Sequence, residues 1–199
     1  VEQEIEASWA ARLGRLATRR EPVTGVSEFP DTDVSAADVD TPAGGFPTRR
    51  PAAPFEALRD AADRSRAGGS EPQVHLAALG SLADHTARTT WITNLLAVGG
   101  LSAPGGDVDG AASPDAAVAA FAASGSAVAV ICSSDAVYAE RAVATAAALK
   151  AAGAELVALA GHPGDRRDEL EAAGVDTFLH VGVDVLAALT DLHARLGVH

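Results

Sequence analysis

The chain has 199 residues, 48% of them hydrophobic and 21% charged, which is the profile of a globular domain with a real core plus extra segments. Its net charge of −12 repels phosphate backbones and anionic membrane surfaces, so neither nucleic acid nor a membrane is an expected partner. Cys132 is the only cysteine, which rules out an intrachain disulfide and fits a cytoplasmic protein, and no apolar run approaches the roughly 20 residues of a membrane span.

The first segment, VEQEIEASWAARLGRLATRR, is expected to be helical, because Ile5, Trp9, Leu13 and Leu16 recur at spacings that place them on one face. From Glu21 to Pro54 that pattern disappears. Pro22, Pro30, Pro42, Pro47, Pro51 and Pro54 forbid a helix there, and the segment is read as an extended linker or a strap laid over another surface. Phe29, Phe46 and Phe55 favour the strap, since aromatics are scarce in solvated linkers. A short linker helix over residues 55–69 follows, ending at Gly68-Gly69.

From Gln73 the pattern becomes regular. Strands are predicted at Val74–Leu79, weakly near Gly100–Ala103, and at Ala127–Cys132, Glu155–Ala160 and Thr177–Val181. Helices are predicted between them at about Asp84–Val98, Pro114–Ala123, Asp135–Ala152, Arg166–Ala173 and Val183–Leu196. Gly99, Gly153, Gly174 and Gly197 stand where a left-handed residue closes a helix. Apolar strands alternating with alanine-rich helices give an α/β domain over residues 73–199, a flavodoxin-like doubly wound parallel sheet of five strands in the order 2-1-3-4-5.

In such a sheet, chemistry gathers beyond the carboxyl ends of the strands. Four loops lie there: Gly80–Asp84, Ser133–Asp135, Gly161–Gly164 and Gly182–Asp184. None carries GxGxxG or GxxxxGK, so a dinucleotide or P-loop site is not expected. The six histidines show no paired spacing suited to zinc. A receiver-type phosphoacceptor would want an aspartate where the third strand ends in Cys132-Ser133-Ser134. Ser133 with His85 and Asp84, or with His162, could suggest a triad, but ICSSD is not the GxSxG of a nucleophile elbow, and N-capping accounts for Ser and Asp at a helix start. Cys132 is expected to be a small buried residue.

The segments TRREPVTGVSEFP, FPTRRPAAPFEALRDAAD, VHLAALGSLADHTART, ICSSDAVYAERA and AAGVDTFLHVGVDVL resemble methylmalonyl-CoA mutase in its carboxyl-terminal part. The likeness is to the small, non-catalytic (beta) subunit of the two-subunit bacterial enzyme, and it runs along nearly the whole chain. It implies a cobalamin-binding-type domain preceded by a TIM barrel, of which residues 1–20 would be the last helix. With no Met and a start at Val1, the sequence is expected to be a portion of a longer or processed protein.

In catalytic chains of that family, the resemblance implies, a DxHxxG motif after the first strand supplies the histidine that ligates cobalt. An SxL motif after the third strand and a Gly-Gly pair after the fourth line the slot for the nucleotide tail. Ungapped, LGSLADHTAR puts Leu82, Asp84 and Ala87 at the motif's aspartate, histidine and glycine, so His85 falls one residue late. The other two motifs become Ser133-Ser134-Asp135 and Gly161-His162, with Asp135 and His162 intruding on the slot.

His85 is therefore expected to be a residue of the helix start or the surface. The domain is expected to bind no cofactor and no metal, and to act structurally beside a large catalytic subunit that holds adenosylcobalamin and interconverts methylmalonyl-CoA and succinyl-CoA in propionate metabolism. The alternative is a working adenosylcobalamin domain with His85 on cobalt and Asp84, Ser133 and Gly161 around the cofactor. A third reading is a flavodoxin-like binder of some other small molecule.

Overall fold

The computed structural model describes residues 2–30, 49–104 and 109–199. Its centre is a parallel sheet whose strands are β1 (His75–Ala78), β2 (Val128–Cys132), β3 (Leu156–Ala160) and β4 (Thr177–Leu179), hydrogen-bonded in that order. The register runs Leu76↔Val130 and Val130↔Ala158, and Leu159↔Phe178 continues it to the last strand.

The helices are α1 (Glu2–Ala17), α2 (Ala53–Ala67), α3 (Leu82–Val98), α4 (Pro114–Ser124), α5 (Asp135–Ala151), α6 (Arg167–Ala172) and α7 (Val185–Arg195), with a 3₁₀ turn at Gly164–Arg166 before α6. Side chains alternate across a strand, so each strand feeds two cores. Leu76, Val128, Val130, Cys132, Leu156 and Leu179 face α1, α2, α3 and α7. Ala77, Ala129, Ile131, Val157, Leu159 and Phe178 face α4, α5 and α6. Burial on both sides explains why β2 and β3 read as unbroken apolar runs.

The sheet has four strands, not the expected five. The segment near Gly100–Ala103 lies beside β1, in the place the expected order gives it, but makes only one bridge, Gln73↔Ser102. Val74 N–H donates to Ser102 O at 2.8 Å and Ser102 N–H to Pro72 O at 3.0 Å. Gly99 and Gly100 precede this contact and Pro104, which has no N–H, follows it, so a ladder has no room to grow. The left-handed residue after α3 is Gly100 (φ 72°), not Gly99 (φ −90°); a Cβ on Gly100 would come 2.9 Å from Ala62 Cβ.

The linker helix packs into the domain: Phe55 and Ala62 are fully buried. Of the other aromatics ahead of it, Phe29 is 76% exposed at φ 50°, and Phe46 lies outside the described residues. On α1, Leu16 is buried, Leu13 packs at the margin of the core and Ile5 is exposed. Among the described residues no helix is long and apolar enough to cross a membrane.

Candidate functional site

At the carboxyl end of β1, Ser81 opens α3 and Asp84 reaches back to it. The Asp84 carboxylate accepts from Ser81 N–H at 2.9 Å and from Ser81 Oγ at 2.6 Å, the half of a capping box supplied by the third helical residue. Those bonds hold its pKa below the usual carboxylate range, with help from the Ser134 hydroxyl and the charge of His85. Gly80 makes this closure possible: a Cβ at its φ of 81° would lie 2.8 Å from Asp84 Oδ2.

His85 is not a surface residue. One position further round the helix than Asp84, it turns inward and is 1% exposed. Its Cδ2 would touch a Cβ built on Gly110 at 3.0 Å, and neither ring nitrogen has a hydrogen-bond partner. The first turn of α3 thus separates the two neighbours, sending the carboxylate to the rim and the imidazole into the core.

Ser133 and Ser134 end β2 with different tasks. Ser134 caps α5, accepting from Val137 N–H at 3.4 Å. Ser133 is fully buried, and its Oγ donates to Leu79 O at 2.7 Å across to the end of β1. That hydroxyl meets no histidine, so neither triad assembles. Ser133 N–H donates to the Tyr138 hydroxyl at 2.9 Å, and the phenolic oxygen lies 2.9 Å from Ile131 O and 2.8 Å from Ala160 O, the two carbonyls between which its single proton is shared. Burial pushes the Tyr138 pKa up, and the Cys132 thiol, wholly enclosed, is also pushed up and inert.

The residue that dominates this face is Arg88, which the sequence motifs did not single out. From α3 its Nη1 donates to Ser133 O at 2.5 Å and its Nη2 to Asp135 Oδ1 at 2.6 Å. Its guanidinium carbon stands 4.7 Å from the Tyr138 ring centroid and would lie 3.3 Å from a Cβ on Gly161. Burial works against its charge, but the contacts with Asp135 and Tyr138 outweigh that and raise its pKa. Arg88 therefore spans Ser133, Asp135 and Gly161. The His162 ring packs against His180, 4.9 Å between centroids, and takes the Gly164 N–H on Nδ1 at 3.1 Å. Arg88 also lines an open groove of about 310 Å³ together with Trp91, Leu179 and Val181, the last 85% exposed.

No family model matches the sequence. Among curated proteins, the methylmalonyl-CoA mutase small subunit of Streptomyces virginiae is 43% identical, the alignment covering 100% of this chain and 32% of the relative. The small subunit from Propionibacterium freudenreichii subsp. shermanii is 36% identical over 100% of the chain and 31% of its own length. The probable small subunit of Mycobacterium bovis is 42% identical over 98% and 31%. Over its whole length the chain is homologous to the methylmalonyl-CoA mutase small subunit. It spans about a third of the length of these relatives.

On this mutase small-subunit homologue, the positions matching the family's cofactor motifs can be tested against a cobalamin. They do not fit. An imidazole that held the metal would have to reach out of the fold, whereas His85 is enclosed and the neighbouring carboxylate is bound to Ser81 and Ser134. A nucleotide tail between Ser133 and Gly161 would overlap Arg88. Among the described residues no group of three or more His, Cys, Asp or Glu side chains is placed to hold a metal ion.

Proposed function

We propose that this chain is the carboxyl-terminal third of the small, non-catalytic subunit of methylmalonyl-CoA mutase, and that its α/β domain is structural. The parent would pair in the cytoplasm with a large subunit that carries adenosylcobalamin and interconverts methylmalonyl-CoA and succinyl-CoA. In this reading residues 1–20 end a barrel, residues 21–54 form a strap, residues 55–69 the linker helix and residues 73–199 the cobalamin-type domain. The observation that carries it is the full-length homology to small subunits from several bacteria. The position of Arg88 between Ser133, Asp135 and Gly161 supports the further point that the domain keeps the fold without the vitamin.

One observation favours the competing reading of a working cobalamin domain: His85 has two ring nitrogens without partners. Titration with hydroxocobalamin separates the two. A structural domain leaves the visible spectrum unchanged and lets the vitamin pass through gel filtration unretarded. Histidine ligation would shift the visible bands and carry the colour with the protein. Co-expression with the large subunit tests the pairing, and failure of the two chains to co-purify would count against it.

A further inference from the structure

We propose that Lys150 is a guarded acylation site: it is the one side-chain amine at which an acyl-CoA thioester can attack this chain, and Asp176 and the Glu155 carbonyl hold it out of reaction. The acyl donor comes from the reading of the parent as a mutase of acyl-CoA, and the inference rests on that reading to this extent.

Thioesters are attacked by thiolates and by unprotonated amines. The sequence offers few of either. Of its 15 basic residues one is a lysine and 14 are arginines, whose guanidinium stays protonated and is no nucleophile. The only thiol, Cys132, is fully buried. Acyl transfer to this chain therefore falls to Lys150.

Lys150 stands in the last turn of α5. Its Nζ lies 2.7 Å from Asp176 Oδ2 and donates to Glu155 O at 3.0 Å. The same carboxylate oxygen accepts from Val157 N–H at 2.7 Å, and Asp176 N–H donates to Val157 O at 2.8 Å, so β3 fixes the guard in place. The stem runs past Gly174, where a Cβ would come 2.5 Å from Lys150 Cγ. Only 26% of the side chain meets solvent.

To react, the ammonium must leave Asp176, lose a proton to water and turn its lone pair toward the acyl carbon. An N–C bond then forms, the thioester C–S bond breaks, and coenzyme A leaves as the thiol with the amine's second proton. The amide that results has one N–H and no charge, so it cannot restore both contacts.

The test incubates the natural chain with succinyl-CoA, folded and in urea. Mass spectrometry reads the peptide that contains Lys150, each rate being referred to that of a short lysine peptide in the same buffer. Asp176→Asn keeps an acceptor for Val157 N–H and removes the charge, and circular dichroism checks its folding. The guard predicts acylation at least about fivefold slower in the folded chain than in the unfolded one, and a rise of at least about threefold in folded Asp176→Asn. If Asp176→Asn does not fold, the ratio of folded to unfolded rates decides. Equal rates in the folded and unfolded chain, or no acceleration in folded Asp176→Asn, overturn the guard and leave the family reading intact. Failure to co-purify with the large subunit would count against that reading without changing these rates.

Discussion

Replacing His85 by leucine is expected to stabilise the domain, although it removes the histidine nearest the family's metal-ligand position. The ring is 1% exposed and neither nitrogen is hydrogen-bonded. A buried polar group left without a partner costs about 1–3 kcal/mol, and an apolar side chain of similar size does not incur that cost. Against this stands the close approach of Gly110, where a Cβ would come 3.0 Å from the ring's Cδ2, so crowding could return about 1 kcal/mol. The net expectation is a gain of about 1 kcal/mol, which for a chain of this size raises the melting temperature by about 2–4 °C. Urea unfolding followed by circular dichroism at pH 7.5 measures it, with an unchanged m-value as the check that the two chains unfold alike. A loss of about 1 kcal/mol or more would refute the reasoning, because it would mean that the imidazole is bonded to an internal water.

Three further outcomes follow from the packing. Phe55→Ala is expected to cost about 3–5 kcal/mol in urea unfolding, because Phe55 is wholly enclosed between α2 and the core; a cost under about 1 kcal/mol would detach α2 from the domain. Tyr138→Phe should cost about 1–3 kcal/mol by leaving the Ser133 N–H without its acceptor, and an unchanged urea midpoint would remove Tyr138 from its place as the tie between strand ends. Burial holds the pKa of His193 below its ordinary value of 6.5, with the 2.8 Å contact to Gly99 O acting in the opposite direction. The unfolded chain therefore takes up this proton first as pH falls, so stability present above about pH 6.5 declines toward the lower folded-state value, by at most about 1.4 kcal/mol per pH unit. His193→Gln should flatten that slope, and an identical pH profile would assign it elsewhere.

The parts of the fold that were legible in the sequence are those with dense local signals. β2 and β3 are apolar on both faces, β2 with three β-branched residues, and they begin within a residue of their predicted starts. Ser134 and Gly153 bracket α5 as a cap and a left-handed close. The strand at Gly100–Ala103 was over-read because its apolar residues look like a strand while the flanking Gly and Pro leave room for one bridge. β4 stops at Leu179 rather than Val181, where the last sheet bond goes from Gly161 N–H to Leu179 O.

The site was harder to read. Motif spacing correctly separated Asp84 from His85, but whether that imidazole faced water or core depended on the loop around Gly110, distant in sequence. Arg88 was missed for the same reason. Its partners lie 45 and 47 residues away, and an arginine on a helix carries no local mark of what it will touch. The clue available was a cation nearly two turns into the helix that opens opposite Asp135.

A domain completed by a small molecule is only as stable as the supply of that molecule permits, since occupancy adds RT ln(1 + [L]/Kd) to its unfolding free energy. Arg88 is tethered to the fold it fills, so its local concentration does not fall when nutrients run short. The brace it forms between α3 and the turn after β2 is thus present in every folded copy, with no second molecule to wait for.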